Sequence, residues 1–190
     1  MPKNYESWTA SDAVDRSLLD ADIHVLSGEI TNENVTEAIK WILSANLTKK
    51  PKRVLDLYIN TTGGDLYEMF ALIDVMKSSS IPIKTVGLGL IASCGFLIFI
   101  AGKKGQRILT PNTSILSHQY SWGSRGKEHE LYARVKEFEL STDRMIKHYK
   151  KCIGMSEAKI KEVLLPPQDV WLSAEEAIKL KICDKIEDLY

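Results

Sequence analysis

The sequence has few cysteines, no net charge and no long uninterrupted apolar segment. Its three cysteines are scattered without metal-ligand spacing, which favours reduced thiols over a disulfide framework. Because 25 basic residues balance 25 acidic ones, no excess charge indicates nucleic acid or an anionic membrane as a partner. The N-terminus has no apolar signal core, and glycines break the uncharged run at 85–102. We therefore expect a soluble cytoplasmic protein.

Apolar residues recur alternately at strand spacing and at helix spacing along most of the chain. With 44% hydrophobic residues, we expect one domain at 23–190, preceded by a polar N-terminal arm at 1–22 with a short helix near 14–19. The repeated strand-then-helix order predicts an α/β fold. Strands are predicted at 23–26, 53–60, 83–90, 107–109 and 114–117, and helices at 31–43, 65–77, 94–101, 127–151, 156–164 and after Ser173.

Ser93 lies between the strand-like run at 81–90 and the apolar, helix-length run at 94–101. The first turn of a helix has unpaired N–H groups and the positive end of the peptide dipole, which would stabilise an anion forming beside Ser93. A small polar residue that only caps a buried helix would produce the same local pattern. The pattern therefore leaves two interpretations, a nucleophile and a simple cap.

A serine nucleophile needs a base, and a carboxylate that orients that base. Of the four histidines, His118 falls at the end of a strand beside a glycine-rich loop. His24 lies within a strand, and His129 and His148 lie on the charged helix, where solvated positions are expected. Asp169 follows a proline pair and precedes apolar residues, so we expect an ordered carboxylate that needs a partner.

The pair Gly63-Gly64 is predicted to form a turn before a helix. The absence of side chains there would also let a substrate backbone approach the N–H groups. Each of these residues, taken singly, also fits a structural role. Their order in the sequence does not establish that they meet in space.

Four segments together resemble the proteolytic subunit of the Clp protease, a serine peptidase family, over the chain from about residue 23 to its end. They occur in the order of the family with comparable separations. The resemblance implies the fold that Clp protease subunits share with crotonases, with strand–turn–helix units and a protruding handle at about 119–151. The four segments are LYINTTGG at 57–64, GLIASCG at 89–95, PNTSILSHQ at 111–119 and DVWLSAEEA at 169–177.

The resemblance also implies roles for individual residues. Ser93 would be the nucleophile, His118 the general base and then acid, and Asp169 the orienting carboxylate, while the N–H groups of Gly64 and Cys94 would form the oxyanion hole. No cofactor or metal is implied. An extended segment after the histidine would bind the substrate main chain as an added strand. The residues expected to bind substrate in this way are Gln119, Tyr120, Ser121 and Gly126.

A ring-shaped assembly follows from the same resemblance. Two seven-membered rings would stack face to face through the handles. The narrow apolar seam of the helix at 127–151 would then pack against the handle of the opposite ring. The chamber would cleave peptides or unfolded proteins that an ATP-driven AAA+ unfoldase delivers. The short N-terminus lacks the apolar residues of the family's axial loops, which is typical of a divergent or viral member acting with a host subunit or on a particular substrate.

Several residues differ from the usual pattern of the family. Thr62 and Tyr120 stand where proline is usual, and both substitutions are expected to reshape the substrate groove. Cys94 stands where methionine is common and is itself an alternative nucleophile. Two further alternatives are a non-catalytic or specialised ring subunit and an acyl-CoA enzyme of the enoyl-CoA hydratase type. The latter shares the fold but does not need a combined Ser93, His118 and Asp169.

Overall fold

Strands and helices alternate along the chain in a computed structural model that describes residues 10–48 and 53–189. This order confirms the predicted α/β class. The helices are α1 Ala10–Asp20, α2 Asn32–Leu47, α3 Leu66–Ser78, α4 Cys94–Ile100, α5 Glu128–Ile153, α6 Glu157–Val163 and α7 Ala174–Lys179. The strands are β1 Ile23–Ile30, β2 Leu55–Gly64, β3 Ile83–Ala92, β4 Arg107–Leu109, β5 Ser114–Ser117, β6 Val170–Leu172 and β7 Lys185–Ile186.

The central strand β3 has two different partners on the same side. The main path of the sheet is β1-β2-β3-β4-β7, and its paired strands are parallel. The first half of β3 pairs with β4 through Thr85–Gly87, and its end pairs with β5 through Leu90–Ala92. Strand β6 then pairs with β5 in the antiparallel direction. The end of β3 is thereby separated from β4 and joined to a smaller β3-β5-β6 unit.

The first two strands are longer than the sequence predicts. Strand β1 continues to Ile30 and β2 continues to Gly64, because the two strands resume pairing after a register shift. In the resumed register Glu29 lies opposite Gly63 and Ile30 lies opposite Gly64. The prediction of a turn at Gly63-Gly64 was therefore wrong. Gly63 and Gly64 instead end a paired strand, immediately before Asp65 caps helix α3.

The core lies between the sheet and the helices packed on it. Every residue of α4 is buried, consistent with its wholly apolar sequence and with the predicted buried helix. Strand β2 alternates buried and more exposed positions, as expected where one face packs on the core. Side chains such as Leu57, Ile59, Leu72 and Phe96 are fully buried in this core. Ser93 directly precedes α4. Because α4 is fully buried, the packing of this helix fixes the backbone at Ser93.

Arg107 joins the C-terminal segment to the sheet. Its side chain is only 2% exposed, and its Nε and one terminal nitrogen donate to the two carboxylate oxygens of Asp184 at 2.9 and 2.7 Å. The remaining guanidinium bonds go to the backbone carbonyls of Cys152 and Lys181. Burial opposes ionisation of Asp184, but the hydrogen bonds and charge of Arg107 lower its pKa overall. A buried cation is thus fully paired.

Helix α5 has an apolar seam that divides into two parts. Met145, Ile146 and Tyr149 are buried against the rest of the chain. Leu131 and Val135, nearer the N-terminus of the helix, remain 37% and 43% exposed. The C-terminal half of α5 therefore anchors the helix, while its N-terminal half presents apolar side chains outward. Among the described residues, none of the helices has the length and apolar character needed to cross a bilayer.

His148 is buried, contrary to the expectation of a solvated position on a charged helix. Its ring Nε2 lies 2.8 Å from the Leu97 carbonyl oxygen in α4, and its Nδ1 lies 2.8 Å from Nζ of Lys77 in α3. A carbonyl oxygen only accepts, so Nε2 carries the proton and Nδ1 accepts from Lys77. The ring therefore connects three helices. Burial, followed by the charge of Lys77, lowers the pKa of His148 from 6.5 to about 4.

This low pKa predicts loss of stability in mild acid. Below pH 6.5 the unfolded chain binds a proton at His148 that the folded chain excludes, so the free energy of unfolding falls as pH drops from 6.5 toward about 4. The total loss from this one group is about 3 kcal/mol. We expect His148→Gln to flatten the dependence of the urea midpoint on pH over this interval. An unchanged pH dependence in the variant would contradict the assignment.

Candidate active site

Strand pairing brings Ser93 and His118 to one place. The N–H of Ser93, directly after β3, donates to the carbonyl oxygen of Leu116 in β5 at 2.9 Å. Strand β5 ends at Ser117, so His118 follows immediately. Ser93 and His118 both line a cavity of about 420 Å³. Their proximity therefore follows from the pairing of β5 with the end of β3.

The third predicted residue, Asp169, directly precedes β6 and lies beside His118. Val170 lies opposite Ser117 in the antiparallel β5–β6 pair, so the preceding Asp169 lies beside His118. Asp169 Oδ1 is 3.9 Å from His118 Nδ1, longer than a hydrogen bond but within range of an ion pair. The Asp169 side chain is 61% exposed, not held against apolar neighbours as its sequence context suggested. Catalytic hydrogen bonds are often long without substrate and shorten when substrate binds.

Ser93 has an unusual backbone conformation. Its φ is 54° and its ψ is −120°, a positive φ that residues other than glycine rarely adopt. Ser93 occupies the N-cap position of α4, but its side chain makes no capping hydrogen bond. The simple-cap interpretation is therefore not supported. Strain of this kind is typical of functional sites, where the surrounding structure holds a side chain in an exposed position.

Glycine is required where β2 passes the candidate nucleophile. A Cβ atom at Gly63, whose φ is +94°, would lie 2.7 Å from the Cβ of Ser93 and 3.3 Å from the backbone nitrogen of Cys94. At Gly64, a Cβ atom would overlap the backbone of Ile30. Gly64 and Cys94 line the cavity together with Ser93. The two predicted oxyanion-hole residues are thus at the site, and their role stays a prediction.

The thiol of Cys94 is directed at β2. Its Sγ donates to the carbonyl oxygen of Gly64 at 3.3 Å. Burial is the main cause that raises the pKa of this thiol above its ordinary value. A thiol nucleophile reacts as the thiolate, which burial disfavours here. The geometry therefore favours Ser93 over Cys94 as the nucleophile.

The predicted substrate-binding segment divides between two surfaces. Tyr120 and Ser121 line the cavity with Ser93. Gln119 instead donates from Nε2 to the Leu165 carbonyl oxygen at 2.9 Å. Gly126 lies just before α5, where a side chain would meet Glu130. Neither Gln119 nor Gly126 lines the cavity, and their contact with substrate stays a prediction.

An aromatic cluster that sequence reasoning missed forms one wall of the cavity. The rings of Tyr120 and Trp122 lie 5.2 and 5.0 Å from the ring of Phe138 on α5, centre to centre. The Tyr120 hydroxyl also donates to the Phe138 carbonyl oxygen at 3.0 Å. The apolar spacing of the predicted helix at 127–151 includes Phe138 in the apolar seam but does not show which side chains pack against it. The handle helix therefore contributes directly to the cavity.

Comparison with known proteins identifies the family of the chain. The family model described as Clp protease matches residues 6–189. The chain belongs to the Clp protease family. A Clp-type peptidase of this kind hydrolyses peptide bonds, so the chain is an enzyme.

Relatives in the Clp protease family match most of the chain. It is 32% identical over 188 residues to the ATP-dependent Clp protease proteolytic subunit 1 of Chlamydia trachomatis, covering 98% of this chain and 96% of the relative. The ATP-dependent Clp protease proteolytic subunit of Deinococcus radiodurans is 31% identical to this chain, and the match covers 74% of this chain and 68% of the relative. The ATP-dependent Clp protease proteolytic subunit 2 of Treponema denticola is 29% identical to this chain, and the match covers 92% of this chain and 86% of the relative.

A test of the site geometry uses Gly63→Ala. The added Cβ would displace Ser93, and a misplacement of about 1 Å at a reacting group costs about 100-fold in activity. We expect kcat/KM for a fluorogenic peptide to fall by about this factor. Gly105→Ala is the matched control, because its φ is +88° but no atom lies within 4 Å of the added Cβ. A folded Gly63→Ala protein as active as Gly105→Ala would exclude the proposed packing.

Proposed function

We propose that this chain is a serine endopeptidase subunit whose triad is Ser93, His118 and Asp169. The proposal is based on one observation: strand pairing brings Ser93 and His118 to one cavity and Asp169 beside His118. Ser93 and His118 line that cavity, and the Asp169 carboxylate lies 3.9 Å from the His118 ring. Membership of the Clp protease family gives the reaction class.

The contact with Asp169 assigns the two nitrogens of His118. A carboxylate beside Nδ1 favours the tautomer with its proton on Nδ1, which leaves Nε2 free to accept a proton. Nε2 would then take the hydroxyl proton as Ser93 Oγ attacks the scissile carbonyl carbon. The same proton would pass to the leaving amine as the peptide C–N bond breaks, leaving an ester on Ser93. Water activated by His118 would hydrolyse that ester and restore the enzyme.

Backbone N–H groups would stabilise the tetrahedral intermediate. We assign this role to Gly64 at the end of β2 and Cys94 at the start of α4, both of which line the cavity. Donors fixed by the backbone need no rearrangement as negative charge develops on the carbonyl oxygen. Replacement of a cysteine side chain would leave this N–H group in place.

The substrate is proposed to be a peptide or an unfolded protein. Tyr120 and Ser121 follow the candidate base by two and three residues and line the cavity. The backbone of the segment at 119–126 would pair with the substrate main chain, with Gln119 and Gly126 near its ends. Recognition through backbone hydrogen bonds would allow cleavage of many sequences.

We further propose assembly into two stacked seven-membered rings, with one domain at 23–190 and an N-terminal arm at 1–22. Helix α1, at Ala10–Asp20, is longer than the predicted helix at 14–19, and residues 1–9 of the arm lie outside the described residues. The exposed apolar side chains on the N-terminal half of α5 would meet a second ring. The relatives are named ATP-dependent, which supports an AAA+ unfoldase as partner. A cytoplasmic location is part of the same proposal.

Replacement of the nucleophile tests the reaction. Ser93→Ala is expected to lower kcat for a fluorogenic peptide by at least about 10⁴-fold, because a methyl group cannot attack the carbonyl carbon. Cys94→Ala is the matched control and is expected to keep most of the activity. If Ser93→Ala retained cleavage and Cys94→Ala lost it, the cysteine would be the nucleophile and the triad would be wrong.

Replacement of an exposed handle residue tests the assembly. Val135→Asp would place an unpaired charge in the proposed interface between rings, and we expect the stacked particle to dissociate to single rings. Ala133→Asp adds the same charge about half a helical turn away and is expected to disrupt assembly less. Sedimentation velocity measures both. An unchanged particle for Val135→Asp would rule out this face as the contact between rings.

A further inference from the structure

Three charged side chains line the cavity that contains Ser93 and His118. They are Asp65, at the start of α3, and Arg134 and Glu137 on α5. A formal count gives two negative charges and one positive charge. The charge that remains uncompensated depends on which of these side chains are paired within the protein.

The two carboxylates are engaged within the protein. Glu137 Oε1 accepts from the Ser141 hydroxyl at 2.8 Å and lies 3.4 Å from a guanidinium nitrogen of Arg144. Asp65 Oδ1 accepts from the backbone N–H groups of Tyr67 and Glu68 at 2.7 and 3.0 Å. The positive end of the α3 dipole offsets part of the charge on Asp65. Both carboxylates are therefore compensated by partners within the protein.

The cation has no such compensation. Within residues 10–48 and 53–189, which the structure describes, the side chain of Arg134 makes no hydrogen bond or ion pair. Glu130, one turn earlier on α5, is turned toward the start of the helix, where its Oε2 accepts from the backbone N–H of Lys127 at 3.0 Å. Glu137, one turn later, is held by Ser141 and Arg144. The exposed guanidinium of Arg134 is left as the uncompensated charge at the cavity wall.

We propose that Arg134 is a specificity-determining residue that favours peptides with a carboxylate side chain near the scissile bond. Its guanidinium would bind an aspartate or glutamate of the substrate through paired N–H···O bonds. The nearby rings of Trp122 and Phe138 would contact the methylene groups of that side chain. This inference rests on the proposed function, because the same cavity must hold the scissile bond beside Ser93.

The test compares pairs of quenched fluorescent peptides that differ only in having glutamate or glutamine at one position. Successive pairs place this position at each site on both sides of the scissile bond. For at least one position we expect the wild-type kcat/KM to be about fivefold higher for the glutamate peptide, the upper range for an exposed ion pair. The preference should decline at about 1 M salt, where charges are screened beyond about 3 Å. Arg134→Gln should cleave both peptides equally.

Lys136→Gln is the matched control. It removes the same charge from the same helix, but Lys136 pairs with Glu139 at 3.3 Å and does not line the cavity. This variant is expected to keep the wild-type preference. Equal cleavage of the two peptides by the wild type at every position, or an unchanged preference in Arg134→Gln, would overturn the inference.

A binding measurement separates this inference from the proposed function. Fluorescence anisotropy with Ser93→Ala protein measures the affinity for the same labelled peptides without turnover. Tighter binding of the glutamate peptide that disappears in Ser93→Ala/Arg134→Gln would support the inference independently of cleavage. Cleavage by the wild type without any charge preference would leave the peptidase assignment intact and refute the role of Arg134. Absence of both cleavage and peptide binding would refute both proposals.

Discussion

The candidate site depends on the change of partner along β3. The first half of this strand pairs with β4, whereas its end pairs with β5, and the Ser93 N–H extends that second pairing to the Leu116 carbonyl oxygen. The same β5 presents His118 at its end and pairs with β6, which follows Asp169. Three segments distant in sequence are thus aligned by one set of backbone hydrogen bonds. Loss of the β3–β5 pairing would separate Ser93 from His118 and Asp169 without changing any of the three side chains.

The alternation of strands and helices could be predicted from the sequence because apolar spacing is a local property. The meeting of Ser93, His118 and Asp169 could not, because it depends on which half of β3 pairs with β5. Their roles were inferred from resemblance to a family. The extension of β2 through Gly63 and Gly64 was missed because a glycine pair usually marks a turn. The register with β1 outweighs that local signal.

Burial on α5 was also hard to predict. Lysines at 147, 150 and 151 surround His148 in the sequence and suggest a solvated face. The ring nevertheless lies on the side that faces α4, where the Leu97 carbonyl oxygen provides a hydrogen-bond partner. Conversely, Asp169 precedes an apolar segment but has an exposed carboxylate. Helix α5 therefore packs on the core through its C-terminal half and lines the cavity with Phe138 and Arg134. Its exposed apolar residues would also contact the proposed second ring.

In the proposed triad, Ser93, His118 and Asp169 act as one chemical unit. Covalent labelling with a fluorophosphonate, followed by peptide mass spectrometry, tests it most directly, because the reagent reports the nucleophile without any choice of substrate. We expect an adduct on Ser93, formed much more slowly in His118→Ala and more slowly in Asp169→Asn than in the wild type. An adduct on another residue would refute Ser93 as the nucleophile, and labelling of Ser93 at the same rate in all three proteins would refute the triad.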